Sequence, residues 1–448
     1  MMIKRIAVIG SGIAGLSAAW HLSQAGQDGL VTLFEAESHF GGHAHTVDVT
    51  LPDDQGTPVR QGVDTGFLVF NHRTYPLLRQ LFVDLEVATA PAEMSFSVQS
   101  RSPHRPALEW SGNNLDSVFA QRRNLLRPKF WGMLADILRF NRLTTRLAQQ
   151  AEQAQQGEAL DLDVSVGAFL DQHRFSTAFR NDYLLPMVAC IWSCPTEQML
   201  AFPIATLIRF CHNHGLLQVT HRPQWYTVRG GSRQYVQRML KGIHQTRANT
   251  PIRQIVRHGT GSGITVITAA GHSEHFDAVV LACHSDQALQ MLGDQASAQE
   301  RAVLGAVRYQ RNHAVLHTDT ALLPERRNVW AAWNYEHSPA PGSSAAPQVC
   351  LHYLINRLQP LPFAQPVIVS LNPVREPAAS TVLARFDYAH PVFDRAAIHA
   401  QAQVASLQGQ HATWFCGAWT GYGFHEDGLR SGRDAAEHLL RPAQATQG

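Results

Sequence analysis

The sequence predicts an α/β protein in which a parallel-sheet domain is interrupted by an inserted α+β unit. Two observations predict it. The first 35 residues alternate strand, helix and strand, and the end of the chain returns to strand-turn-helix character. The long middle does neither.

Taken in order, Ile3 to Ile9 is an apolar, β-branched run of strand length. Ile13 to Ala25 is rich in Ala and Leu and stops at Gly26, the glycine expected after a helix. Leu30 to Phe34 is a second strand, ended by Glu35. This βαβ unit requires a parallel sheet. Residues 72 to about 225 hold helical stretches and many aromatics, without the strand-glycine-helix pattern. Strands return over 249–283: IRQIVRH and GITVITAA read as a hairpin, DAVVLA as a buried strand. Residues 291 to about 405 are mixed, and 338–347 (SPAPGSSAAP) is a surface loop by composition. ATWFCGAW and a helix from about Gly428 to Leu440 close the pattern. The division is therefore a discontinuous first domain (1–71, 226–290 and 406–448) and a substrate-binding or cap domain (72–225 and 291–405).

The 448 residues are 45% apolar and 16% charged, which excludes a disordered, acidic or collagen-like chain. A net charge of +2 gives no global field for nucleic acid. Lysine occurs only at Lys4, Lys129 and Lys241. The six cysteines show no disulfide framework and point to a reducing compartment. No run approaches the roughly 18 apolar residues that span a bilayer. The reading is cytoplasmic, with peripheral contact at the inner face of the membrane as a further expectation.

Gly10-Ser11-Gly12-Ile13-Ala14-Gly15 is G-x-G-x-x-G, directly after a strand and opening a helix. Gly10 permits the tight turn, Gly12 lets a pyrophosphate approach the backbone, and Gly15 lets the helix pack on the strand. The helix N-terminus adds free N–H groups and partial positive charge. Glu35, followed by Ala36, stands where an acid binds a ribose hydroxyl. The domain is thus Rossmann-like. Gly41-Gly42-His43 lets the chain cross close to a pyrophosphate and a flavin ring, which a plain NAD domain does not need. At the other end, Gly417 closes an apolar strand, and Asp427-Gly428-Leu429 opens the last helix. A second helix N-terminus can face the negative edge of a reduced flavin, worth about 0.3–1 kcal/mol. Two such helix starts fit FAD better than NAD. An ordinary capped helix is the alternative for the tail.

These residues resemble the FAD-dependent amine oxidases and phytoene-desaturase-type flavoproteins. FGGHAHTV, DTGFLVFNHRTYP, MSFSV, IWSCP, HRPQWYTVRGGSRQYV and GYGFHEDGLRSG are similar to the oxidase-like N-terminal domain of plant cyclopropane fatty acid synthases. They also resemble bacterial stand-alone NAD/FAD-binding flavoproteins. The resemblance implies non-covalent FAD, with Gly230-Gly231 beside the isoalloxazine and the Ile252 backbone at adenine. Many amine oxidases carry an arginine after the glycine pair, where His43 stands here. Many also use a lysine near flavin N5, and no lysine of this chain lies on an apolar strand able to reach the ring.

For proton transfer, His425 is the first candidate and Glu426 the second, because both open the helix expected beside the flavin. His72 and Tyr226 follow, with Tyr226 and Trp225 also readable as pocket walls. A satisfied polar residue near a cofactor is the alternative for each. Cys190, Cys194, Cys211, His212 and His214 do not match zinc spacing, and no metal is expected. Leu115 to Leu147 carries seven basic residues against two acids, interleaved with Phe119, Phe130, Trp131 and Phe140. That composition suits an anionic lipid surface; a helix with simply solvated arginines is the alternative. The expected function is an FAD-dependent oxidoreductase of desaturase or oxidase type, acting on an apolar substrate such as a membrane-lipid acyl chain. The alternatives are a double-bond isomerase, an amine oxidase and a non-catalytic FAD-bound partner of a lipid methyltransferase.

Overall fold

The computed structural model describes residues 5–25, 30–102, 105–153, 164–192, 196–218, 222–259, 261–337 and 349–441. Gly26, Cys194 and the 338–347 loop lie outside the described residues. Strands β1 (Arg5–Ile9), β2 (Leu30–Phe34), β3 (Gln245–Arg247), β4 (Ala278–Leu281) and β5 (Thr413–Phe415) form one all-parallel sheet in the order β3-β2-β1-β4-β5. Ile6 to Ile9 are all buried, as expected of a central strand covered on both faces. The sheet is a Rossmann-like α/β core, and its strands come from both ends of the chain and from the middle.

The helices that matter for the site are α1 (Ile13–Gln24), α2 (Pro76–Asp84), α3 (Pro128–Gln153), α4 (Leu185–Trp192), α5 (Ile204–Asn213), α6 (Arg233–Lys241) and α7 (His425–Leu440). Helix α7 starts at His425, three residues before the expected Gly428, because Glu426 and Asp427 complete its first turn. It lies directly on α1. A Cβ on Gly428 would stand 2.7 Å from the Ile13 methyl, and one on Gly432 would stand 2.1 Å from the Ala14 carbonyl oxygen. The Ser17 hydroxyl donates to the Leu429 carbonyl at 2.8 Å. These contacts advance together along both helices, so α1 and α7 run in the same direction and their N-termini open side by side.

A second, seven-stranded sheet runs in the order Val382–Val392, Arg308–His317, Ile368–Leu371, Cys350–Leu354, Trp333–His337, Phe96–Ser102, Arg105–Ser111. Its neighbours are antiparallel except the parallel pair Trp333–His337 and Phe96–Ser102. The last two strands, with Thr89–Ala92, fall in a region expected to be helical. Ser97 and Gln99 are buried there because the Asn334 side chain and the Leu322 carbonyl accept their hydrogens. Polar residues satisfied inside a sheet erase the alternation that marks a strand. The hairpin of Ile252–Arg257 and Ile264–Thr268 is present, but with Ser273–Phe276 it forms a separate three-stranded sheet.

The α1–α7 contact gives a direct test. Gly432→Val should lower the stability of the purified protein by roughly 1–3 kcal/mol, the usual cost of overpacking. The shift in urea midpoint should persist in protein stripped of cofactor, because the clash is between two helices.

Candidate functional site

The glycine turn between β1 and α1 divides into packing glycines and one other. Gly10 has φ +100°, and its Cβ would stand 3.0 Å from the Ala282 carbonyl oxygen. A Cβ on Gly15 would stand 1.8 Å from the Gly10 carbonyl oxygen. Gly12 has an ordinary φ of −59°, and no protein atom lies within 4 Å of where its Cβ would be. The fold itself therefore gives Gly12 no reason to lack a side chain. Gly41 pairs with Gly12 in a β-bridge, and a Cβ on Gly42 would touch the Gly12 Cα at 3.1 Å. The loop after β2 thus crosses the turn as expected. Ile13, Ala14, Gly428 and Leu429 form the adjoining wall where α1 meets α7.

Glu35 ends β2. Its carboxylate accepts from the Ser11 amide (2.9 Å), the Ser11 hydroxyl and the Glu37 amide (2.9 Å), so it also fixes the glycine turn. Ala36 is exposed beside it. The amides of Asn249 and Thr250 donate to the Glu37 and Glu35 carbonyls, which brings the segment leading to Ile252 against this end of β2. Gly417 donates its amide to the Ser431 hydroxyl at 3.0 Å. The Asp427 carboxylate turns back to accept from the Tyr422 and Phe424 amides, both at 3.1 Å, and burial raises its pKa to about 6. The bare surface at Gly12, between two parallel helix N-termini, fits the pyrophosphate of an extended dinucleotide. Gly230 and Gly231 precede α6. Both have positive φ, and a Cβ on Gly231 would meet the Thr46 side chain at 2.4 Å. They seat the start of α6 on buried Asp64, which accepts from the Ser232 amide at 2.9 Å. Nothing in that packing places them against a ring.

A cavity of about 910 Å³ lies between the seven-stranded sheet and the helices α3, α4 and α5, and reaches the start of α7. Its walls are mostly apolar and aromatic, among them Phe67, Trp110, Leu134, Trp192 and Trp225. Glu93 is the one acidic side chain among the lining residues, and it is paired with Arg357 at 2.6 Å. No lysine lines it.

The four catalytic candidates separate here. His425 lines the cavity, stacked on Phe67 with centroids 3.7 Å apart, its Nε2 hydrogen-bonded to Tyr235 at 2.9 Å. Burial pushes its pKa down to about 3, so it is a neutral imidazole. Glu426 faces away: its two oxygens accept from the Leu77 and Leu78 amides at 2.9 and 3.0 Å and cap α2. His72 and Tyr226 are stacked on each other, 4.2 Å apart, and neither lines the cavity. Strand alternation is the reason: on Trp225–Val228, Trp225 points inward, so Tyr226 points out.

Sequence reasoning missed two cavity residues on Val382–Val392, Tyr388 and His390. They are two positions apart and share one face, a period-2 signal present in DYAHPVF. His390 Nδ1 accepts from the Asn312 amide at 2.8 Å, so its neutral form carries the proton on Nε2. His43 lies 5.1 Å from both the Tyr388 and the His390 ring, is half-buried, and has no hydrogen-bond partner for its buried Nε2. Burial lowers the pKa of His390 to about 4 and that of His43 well below its usual range.

Cys190 and Cys211 are buried free thiols, and burial raises both. Among the described residues, the one group with metal-ligand spacing is Glu336, Cys350 and His352, in the seven-stranded sheet. His352 Nε2 lies 3.0 Å from Glu336, and its Nδ1 lies 2.6 Å from the Ser370 hydroxyl. Burial pulls its pKa down, but Cys350 and Glu336 outweigh it and hold it at about 9.

The profile of the flavin-containing amine oxidoreductases matches residues 13–316, and the chain belongs to that family. It is an FAD-dependent oxidoreductase, which agrees with the turn at Gly12 and the paired helix starts. A search of curated proteins found no match. Three similar solved structures share the fold. A putative protoporphyrinogen oxidase from Exiguobacterium sp. 255-15 is 16% identical with a TM-score of 0.65, over 97% of this chain and 98% of that one. A CLA-producing fatty acid isomerase from P. acnes is 16% identical at 0.65, over 98% and 99%. A putrescine oxidase bound to putrescine is 15% identical at 0.66, over 98% and 99%.

Two predictions follow from this geometry. Gly12→Ala should fold with unchanged circular dichroism yet purify with less flavin, since the added Cβ meets no neighbouring protein atom. Gly15→Ala should instead reduce folded yield, through its clash with the Gly10 carbonyl. The second concerns acid. His45, His214, His317 and His390 are lowered to about 4 and His425 to about 3, from 6.5. A histidine with a depressed folded pKa contributes stability above 6.5 that is lost as pH falls through the folded value. Asp64 and Asp427, raised to about 6, and Glu426, also raised by burial, act oppositely but are three groups against five. The thermal midpoint should therefore fall between pH 6.5 and 4, and His390→Gln should flatten that slope.

Proposed function

We propose that this oxidoreductase dehydrogenates an apolar substrate, the unsaturated or modified acyl chain of a membrane lipid. The observation that carries the reading is the cavity: about 910 Å³, mostly apolar, with its one acid already paired to Arg357. A substrate ammonium would find no free carboxylate there, and moving it from water without a partner is costly. An alkyl chain has no polar group to desolvate on entry, and each CH₂ that would otherwise meet water gains about 0.8 kcal/mol.

FAD, when bound, supplies the hydride acceptor. The residues of the chain that would hold it are the Gly12 turn, Glu35, the Gly41-Gly42-His43 crossing and the start of α7. The aromatic walls align the chain and exclude water. The proton released when a new double bond forms needs an acceptor on the wall, and His43 is the best placed, because its Nε2 is buried without a partner. His390, its Nδ1 taken by Asn312, lines the same cavity, and His425 holds the adjoining wall with Tyr235. A second reading, double-bond isomerisation with no net redox change, is supported by the likeness to the fatty acid isomerase.

The test is anaerobic mixing with a panel of long-chain acyl esters and aliphatic amines. An acyl ester should bleach the flavin and yield a product with one more double bond; the amines should not. Bleaching by amines alone would overturn the acyl reading, and an acyl product of unchanged hydrogen count would select isomerisation. His43→Phe should retain FAD and slow reduction by about 10²-fold, as for loss of a general base. A base whose pKa is depressed stays unprotonated above neutrality, so the wild-type limiting rate should be flat from pH 6 to 9.

A further inference from the structure

The long helix α3 has two working faces. Leu134, Leu138 and Asn141 line the cavity. Ala135, Arg139 and Arg142, each one residue further on and hence about 100° round the helix, line a separate recess of about 420 Å³ with Arg146, His173 and Phe175. Arg139 is held in place there. It donates to the His173 and Arg174 carbonyls at 3.0 and 3.1 Å, pairs with Asp136, and lies 4.1 Å over the Phe175 ring. Arg142 and Arg146 are exposed and have no ion pair or hydrogen bond among the described residues. No acid lines the recess.

Large apolar side chains are exposed beside it. Of the eight exposed among the described residues, five belong to this region: Leu115, Leu125, Leu126, Trp131 and Leu138. Leu126 is 87% exposed and Leu115 78%. Leu115, Trp131 and Leu138 also line the cavity, so its mouth is ringed by apolar side chains that water would otherwise cover. An exposed apolar rim flanked by Arg139, already paired with Asp136, and by the unpaired Arg142 and Arg146 matches the two layers of an anionic bilayer surface, acyl chains and phosphates.

We infer that this face is a membrane-docking surface: Arg139, Arg142 and Arg146 seat the phosphates of anionic phospholipids, and Leu126, Trp131 and Leu138 enter the acyl layer, holding the cavity mouth against the bilayer. The inference rests on the acyl-chain reading above for its purpose, and on the charge and exposure of this face for its chemistry. It assigns the substrate a form. The chain is presented by an intact phospholipid in the membrane, with its phosphate at the arginine row.

The experiment is sedimentation of the full holoprotein with vesicles of phosphatidylcholine alone and of equimolar phosphatidylcholine and phosphatidylglycerol. Binding should favour the anionic vesicles and fall as salt is raised, since screening shortens from about 10 Å at 0.1 M to about 3 Å at 1 M. Arg142→Glu combined with Arg146→Glu should weaken that binding on the order of tenfold or more. Leu126→Asp, at a side chain outside the cavity lining, should weaken it as well. Lys241→Glu, at an exposed site on α6 in the other domain, should leave it unchanged. Equal binding to both vesicle types, no binding, or wild-type binding by the double arginine variant would overturn the inference. So would displacement by inorganic phosphate at matched ionic strength, which would mark a simple anion site. Wild-type flavin reduction by an acyl ester in neutral detergent micelles separates the two readings. Its failure strikes the substrate assignment, while the vesicle results still decide the docking surface.

Discussion

The close approach of α1 and α7 is the constraint on which the site depends. Two helices from opposite ends of the chain touch through Gly428 and Gly432, with Ala14 and Ser17 on the other side. Side chains at those glycines would drive the helices apart. Because they run in the same direction, their partial positive ends converge at one place, next to the C-terminal end of β1. A phosphate group or an electron-rich ring edge placed there feels both. The sheet supplies the platform, but the glycine contact sets the spacing. It also binds the chain's end into the core, since β5 and α7 complete a sheet begun by β1.

From that point the site is fixed outward by capping. Glu426, in the first turn of α7, reaches the first amides of α2, and Asp64 holds the amide of Ser232, which caps α6. Tyr235 on α6 then meets His425. Glu426 accepts two backbone N–H groups and adds an ion pair to Arg430, and Asp64 accepts from the Ser232 amide and the Thr46, Ser232 and Gln359 side chains, so burial raises both without leaving them unpaired. The cavity wall is built mostly of neutral groups, with Glu93 and Arg222 the charged side chains among its lining residues. The histidines on it are depressed by burial, and the charged residues of α3 stand about 100° away on its outer face.

The first domain was readable because its rules are local. Strand, glycine spacing, helix and terminal acid follow one another within Ile3 to Glu35, and each has one physical reason. The glycines of the tail were readable as a helix start, but not as a contact with Ala14, because nothing in the sequence joins positions more than 400 residues apart. The second sheet was hidden where polar residues are buried in its strands: Ser97 donates to the Asn334 side chain, Asn334 to the His352 carbonyl, and Gln99 to the Leu322 carbonyl. Catalytic candidates chosen for chemistry alone divided by geometry. His425 lies on the cavity, whereas Tyr226 is turned outward by strand alternation and Glu426 is used by a helix end.

The comparison of Gly12 with Gly231 shows how a glycine can be assigned to ligand or to fold. Both were expected at the cofactor. Gly231 has φ +90° and a neighbour 2.4 Å from its missing Cβ, so the fold alone requires it. Gly12 has ordinary backbone angles and no protein neighbour, so the fold would accept alanine. What a structure does not need but a sequence retains in a dinucleotide turn is explained by the ligand. The same reasoning applies to His43. A buried ring nitrogen without a partner costs roughly 1–3 kcal/mol, and it lies on the cavity wall beside the Gly41-Gly42 crossing. That cost is offset when a cofactor, a substrate or a water brings a partner to it.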